Sequence, residues 1–219
     1  LRGVLTNPAE KNLLVAFRPA EQGGRRQISL WQRLKFWELL FARNRHKNLY
    51  VDFESDLKGV FNFKSTTPIV SYHDFSGTDE KKLSRFYEAD TLGADSGILK
   101  IAVQADEITD SIAVWKFLEK AKSENRRIIP IAMGEAGKWT RILGLAHGAF
   151  MTYAALEAGG ETAPGQITAR DLTEVYRVRE LNEKTEVFGI LGENTGYSMS
   201  PFIHNAAFKF HRLNSVFVP

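Results

Sequence analysis

Short, almost uninterrupted apolar runs recur along the chain at strand length, each followed by a stretch whose apolar residues fall at helical spacing. No other feature restricts the fold as much. The runs are residues 12–18, 49–54, 68–74, 98–103, 127–133 and 149–154, and helical spacing fills 28–43, 79–92, 110–123 and 169–182. Strands that are apolar on both faces must be covered on both, which is the condition of a parallel sheet packed against helices. Six strands are expected, and a closed barrel of this type has eight. The sheet is therefore either open or lacks two strands at its amino end. The polar stretch 182–186 reads as a linker, after which Val187-Phe188-Gly189-Ile190-Leu191-Gly192 starts a new strand.

Composition narrows the function. With 43% hydrophobic residues in 219, the chain sustains a substantial core. A net charge of +3 is too small to argue for nucleic acid or an anionic membrane surface, and the modest basic excess suits an enzyme for anionic metabolites. Without cysteine there are no disulfides, thiolate nucleophiles or cysteine-ligated metals, which fits a reducing cytoplasm. No run approaches the roughly 20 apolar residues of a membrane span, and Leu1-Arg2-Gly3-Val4-Leu5 lacks the layout of a signal peptide. The first residue is not methionine and Pro219 closes what reads as a strand, so both ends are expected to be cut.

In parallel barrels the chemistry sits where strands give way to the following loops. The carboxyl ends of the runs carry Arg18, then Asp52 and Glu54, then His73 and Asp74, then Lys100 and Met133, with Arg141 and Gln166 on later segments. Ile98-Leu99-Lys100-Ile101-Ala102-Val103 places an ammonium inside an apolar segment. Desolvation lowers the pKa of such a lysine and makes it a nucleophilic amine for Schiff-base chemistry, while a lysine reaching from a strand edge to solvent explains the same pattern about as well. His73 suits proton transfer near neutral pH, or a structural role bonded to a backbone carbonyl. Arg18 and Arg141 offer forked donors for a carboxylate, or for surface ion pairs. The basic stretch Gln22-Gly23-Gly24-Arg25-Arg26 lacks the strand–glycine–helix form of a nucleotide site. The five histidines show no paired spacing with carboxylates, so no metal is implied.

Seven ordered motifs narrow these alternatives. They are Phe17-Arg18 before Glu21-Gln22-Gly23-Gly24, Val51-Asp52-Phe53-Glu54, Ser71-Tyr72-His73-Asp74-Phe75, Lys100-Ile101-Ala102, Met133-Gly134, Thr140-Arg141-Ile142 and Ala163-Pro164-Gly165-Gln166-Ile167. In order and spacing this set resembles type I 3-dehydroquinate dehydratase across residues 1–182. The resemblance implies an α/β fold, a (β/α)8 barrel here lacking its first two strands, with their acidic and basic substrate-binding residues, before Leu1. It implies dehydration of 3-dehydroquinate to 3-dehydroshikimate by syn elimination, with Lys100 forming the imine, His73 as acid–base and no cofactor. Arg18, Glu54, Met133, Arg141, Thr162 and Gln166 fall at substrate-binding positions, Thr162 where the family usually has serine. Gln22 stands where the family often has a glutamate that orients the catalytic histidine, with Glu21 beside it.

The tail, residues 183–219, carries a second resemblance. Its strand, Gly189, and the sequence Ser198-Met199-Ser200-Pro201-Phe202-Ile203-His204-Asn205 are similar to the first βα unit of the shikimate dehydrogenase substrate domain, in which Ser198 and Ser200 hold shikimate. The pairing implies a bifunctional enzyme of the shikimate pathway, with NADP bound only by the longer protein. Its partners are small molecules, 3-dehydroquinate and shikimate, with no nucleic acid or membrane and with a homodimer left open. The compartment is the cytoplasm, or the plastid in a plant. The alternatives are an inactive truncated remnant and another Schiff-base aldolase or lyase.

Overall fold

The computed structural model describes residues 12–44, 46, 48–61, 63, 66–89, 97–193 and 195–219. The amino-terminal stretch 1–11, residues 90–92 of the expected second helix and Asn194 lie outside them. In the described chain β1 (Leu13–Ala16), β2 (Leu49–Glu54), β3 (Thr67–Asp74), β4 (Ile98–Gln104) and β5 (Ile128–Met133) pair in parallel and in sequence order. Helices α1 (Leu30–Arg43), α2 (Glu80–Ala89), α3 (Ser111–Ser123), the short α4 (Lys138–Leu143) and α5 (Ala169–Glu174) follow or lie between them.

The two faces of the sheet have different partners, and the side-chain period of two decides which residue goes where. Leu99, Ile101 and Val103 pack with Ala113, Val114, Phe117, Leu118 and Ala121, the apolar stripe of α3. Val51, Phe53 and Val70 pack with Trp37 and Leu40 of α1. The alternate residues Ile69, Ile98, Ala102, Ile129, Ile131 and Met133 gather on the opposite face. That face also carries Asp52, Ser71, His73 and Lys100, because Ser71 lies beside Lys100 and Glu54 beside Ser71 in the strand register. One capping box starts α1: Ser29 Oγ accepts from Gln32 N while Ser29 N donates to the Gln32 side chain at 2.9 Å.

Two expectations change. Residues 149–154 form no strand of the sheet. Phe150 N donates to the Ile128 carbonyl at 2.8 Å, but the ladder goes no further, and consecutive Phe150 and Met151, with Tyr153, pack on one cluster. Burial of adjacent residues on one side breaks the alternation a strand requires. The helix expected over 169–182 stops at Glu174, and Arg177 turns at φ 49. Its guanidinium donates to the Ser215 carbonyl at 2.9 Å, a tertiary contact that outweighs local helical propensity.

The tail is a βαβ unit, β6 (Glu186–Gly189), α6 (Ser200–Phe210) and β7 (Ser215–Val218), with β6 and β7 parallel in a separate two-stranded sheet. No described helix is long and apolar enough to cross a membrane.

Candidate active site

At the carboxyl ends of β1–β5 the chain encloses a cavity of about 350 Å³. Arg18, Arg25, Lys100 and Arg141 line it, against the single carboxylate Asp52. Such a balance favours an anionic occupant.

Lys100 is 5% exposed, and its Nζ donates to Asp52 Oδ2 at 2.8 Å. Burial brings its pKa down to about 8 against the upward pull of Asp52. Its ammonium stands 4.0 Å from the centre of the Tyr153 ring. Asp52 is fully buried and is the hub of the site. It accepts from Lys100, from Arg18 Nη2 at 2.6 Å, from Tyr153 Oη at 2.8 Å and from Ser71 Oγ. Burial alone would push its pKa up, but the Lys100 and Arg18 charges outweigh that and hold it well below the usual carboxylate range. Burial first, and the Asp52 charge next, push the Tyr153 phenol up.

His73 stands on β3, next to the Lys100 strand, with Nδ1 at 3.0 Å from Arg18 Nη1. A guanidinium has only donors, so Nδ1 accepts and the ring is neutral with its proton on Nε2. Burial, then the Arg18 and Lys100 charges, hold the pKa of His73 well below its ordinary value, with Asp52 pulling the other way. Arg18 is braced in turn by Glu54 at 3.4 Å, and Glu54 by Arg33 Nη1 at 2.9 Å, with Arg33 continuing to Asp56.

Arg141 enters from α4, almost fully buried. Its Nη1 and Nη2 reach the Tyr153 and Pro164 carbonyls only at 3.4 Å, and its Nε has no partner among the described residues. Gln166 accepts from Thr162 N at 2.8 Å and from Thr162 Oγ1 at 3.3 Å. It is placed by Gly165, whose φ is +67 and whose Cα faces the Gly134 carbonyl so closely that a Cβ would meet that oxygen at 2.1 Å. Only glycine allows the approach.

Of the residues singled out in the sequence, the structure brings Lys100, His73, Arg18, Met133, Arg141, Thr162, Gln166 and Gln22 onto one cavity wall. Glu54 stands one step back, behind Arg18. Gln22 lines the cavity and Glu21 is exposed, whereas the hydrogen-bond partner of His73 among the described residues is Arg18. Ser198 and Ser200 lie on the tail, outside this cavity, where Ser198 Oγ accepts from Ser200 N at 3.2 Å. The role of Asp52 as hub escaped the sequence reading, although a carboxylate between Val51 and Phe53 is the same signal as a lysine between Leu99 and Ile101. Tyr153 gave no comparable signal, because 149–154 lacks strand alternation. Among the described residues no cluster of histidine and carboxylate groups is arranged to hold a metal ion.

A family model described as Type I 3-dehydroquinase matches residues 2–183. The chain is 35% identical over 155 residues to the Arabidopsis thaliana chloroplastic bifunctional 3-dehydroquinate dehydratase/shikimate dehydrogenase, covering 68% of this chain and 24% of that protein. A Clostridium difficile type I 3-dehydroquinate dehydratase with covalently modified comenic acid superposes with TM-score 0.65 at 27% identity, covering 77% of this chain and 68% of that one. The S. pombe AroM structure of dehydroquinate dehydratase and shikimate dehydrogenase superposes with TM-score 0.63 over 95% of this chain and 40% of that one. At 23% identity it speaks for the fold alone. The chain spans about half the length of several curated relatives that it matches.

Proposed function

The chain belongs to the type I 3-dehydroquinases, and from that membership we propose that it dehydrates 3-dehydroquinate to 3-dehydroshikimate in the shikimate pathway, through an imine on Lys100. The observation that carries the reading is Lys100 itself, a buried ammonium with a pKa brought down to about 8, in a cavity that Arg18, Arg25 and Arg141 also line. At that value about a tenth of the lysine is free amine at pH 7. Its attack on the substrate ketone expels water and leaves a cationic imine, which acidifies the neighbouring C–H. His73 takes that proton, and the resulting enamine expels the hydroxyl, which leaves as water with the proton from His73. Hydrolysis of the product imine frees Lys100. The balance is the loss of one water and calls for no cofactor.

In the proposal Arg141, with long hydrogen bonds and an unpartnered Nε, receives the substrate carboxylate. Gln166, Thr162, Arg18 and Gln22 receive hydroxyls, and Met133 packs at the imine. Arg18 has a second part. While it bonds Nδ1, His73 has no free basic nitrogen, so substrate must draw Arg18 aside before His73 takes a proton. Glu54 serves by bracing Arg18.

The finer reading of the whole is part of the same proposal. Residues 1–182 belong to a (β/α)8-type barrel, of which the described residues supply five neighbouring parallel strands. Residues 183–219 open a shikimate dehydrogenase substrate domain, with Ser198 and Ser200 for shikimate and NADP held elsewhere in a longer protein. The bifunctional Arabidopsis relative and the Ser198–Asn205 sequence support it.

Borohydride trapping tests the chemistry. With 3-dehydroquinate present, reduction should leave a covalent adduct on the Lys100 peptide, Lys100→Ala should abolish it, and His73→Ala should keep it while turning over at least ~10²-fold more slowly. Turnover without a labelled Lys100 would end the imine mechanism. Trapping of sugar-phosphate aldols instead of 3-dehydroquinate would make the protein an aldolase.

A further inference from the structure

The tail does not simply follow the barrel unit; one buried cluster joins it to the side of the cavity assigned above to the substrate carboxylate. Val216 and Val218 of β7 share that cluster with Ile142 and Leu143 of α4, with Ile167, and with Leu172, Tyr176 and Val178. Two of these are the immediate neighbours of cavity residues, since Arg141 precedes Ile142 and Gln166 precedes Ile167. A polar clasp backs the apolar contact. Buried Arg177 donates to the Ser215 carbonyl at 2.9 Å. On the other flank, Ile190, Leu191, Gly192 and Glu193 of the tail face Glu135 and Ala136, just ahead of α4, across a cleft of about 590 Å³.

The segment held this way depends on support from outside. With six residues α4 has little helical stability of its own. The hydrogen bonds that orient Arg141 from within are long, 3.4 Å each. Thr140 Oγ1 accepts from Ala132 N at 3.2 Å and ties one side of α4 to β5, so what packs behind Ile142 and Leu143 on the other side bears on where the guanidinium sits. Lys100, His73 and Asp52, in contrast, stand on strands whose outer faces pack against α1, α2 and α3. They owe nothing to the tail.

We propose that the C-terminal unit is a positioning element of the dehydratase site. By docking β7 against α4 and the 165–167 turn, it sets Arg141 and Gln166 for the substrate carboxylate and hydroxyls, while Lys100 and His73 keep the imine chemistry to themselves. The inference rests on the dehydratase reading above. Dense interiors pass displacements on rather than absorbing them, and a shift of about 1 Å in a substrate-orienting group costs of order 10²-fold.

The test is a double variant of the whole chain, Val216→Ala with Val218→Ala, beside Arg177→Met, which cuts the clasp without touching the cluster. Both should raise KM for 3-dehydroquinate by about 3- to 30-fold, the range of such indirect couplings. Both should leave kcat within about twofold and borohydride trapping of Lys100 at saturating substrate unchanged. A lowered unfolding temperature at unchanged KM would make the interface structural only and overturn the proposal, as would a fall in kcat at constant KM. Trapping by the unaltered chain separates the two levels. Its absence would sink the dehydratase reading itself, whereas its presence with an unmoved KM would sink only the role of the tail.

Discussion

Arg18 and Asp52 act on Lys100 in opposite directions, and the titration of one amine reports both. Asp52 pulls the Lys100 pKa up and Arg18 pushes it down, with burial the largest influence. The rate of imine trapping at low substrate follows the free amine, so its midpoint in pH follows that pKa. Asp52→Asn removes the upward pull and should move the midpoint below about 8; Arg18→Leu removes a downward push and should move it up. In Arg18→Leu the His73 titration, followed by NMR, should also rise, because Arg18 depresses it and Asp52, left without its arginine, raises it. Unchanged midpoints would mean that the cluster does not set the amine. The apolar run around Lys100 suited a lysine reaching to solvent as well as a buried one, and the ordered motifs were what singled it out; the structure buries it. The identity of its partner was not legible, since Asp52 and Lys100 are 48 positions apart and meet only through the strand register. The same limit hid the partner of His73. The sequence pointed to Gln22 by its place in a motif, and the geometry gives Arg18, whose own carboxylate brace is invisible in one dimension.

At the scale of elements, periodicity carried the reading further than it did at the site. The helix expected over 28–43 begins at Leu30 because Ser29 and Gln32 satisfy its first amide groups reciprocally. Ser29→Ala should cost about 1 kcal/mol of stability, read as a lower denaturant midpoint at unchanged slope, with KM and kcat unaltered because Ser29 lines no part of the cavity. A midpoint that stays put would mean α1 is held by Trp37 and Leu40 alone. The misreadings have one cause. Residues 149–154 and 175–182 have the apolar content of a strand and a helix, but their conformations are imposed by contacts with distant segments. Phe150, Met151 and Tyr153 are drawn onto the Ile129–Ile131 face, and Arg177 is drawn to Ser215. Local propensity is a weak prior where such contacts exist.

For the whole molecule, the proposed substrate-domain character of the tail makes a prediction about these 219 residues. Ser198 and Ser200 are the proposed shikimate contacts, but hydrogen bonds from hydroxyls orient a substrate and move no hydride. Hydride transfer needs a nicotinamide, held where a tight glycine turn after a strand brings a helix N-terminus against the pyrophosphate. The tail offers one strand–helix passage, from β6 to α6, and its loop runs from 190 to 199 before Ser200 opens the helix. That connection does not carry the G-x-G-x-x-G spacing of a dinucleotide turn. The two-stranded sheet also lacks the several parallel strands between which a dinucleotide lies. NADPH formation from shikimate and NADP by the 219-residue chain should therefore be flat, in the same preparation that traps 3-dehydroquinate on Lys100. A chain extended through a nicotinamide-binding domain should be active, and Ser198→Ala in it should weaken shikimate binding without touching the trapping reaction. Hydride transfer by the shorter chain would mean that the tail binds a nucleotide by some other geometry, and its assignment to a substrate domain would fall.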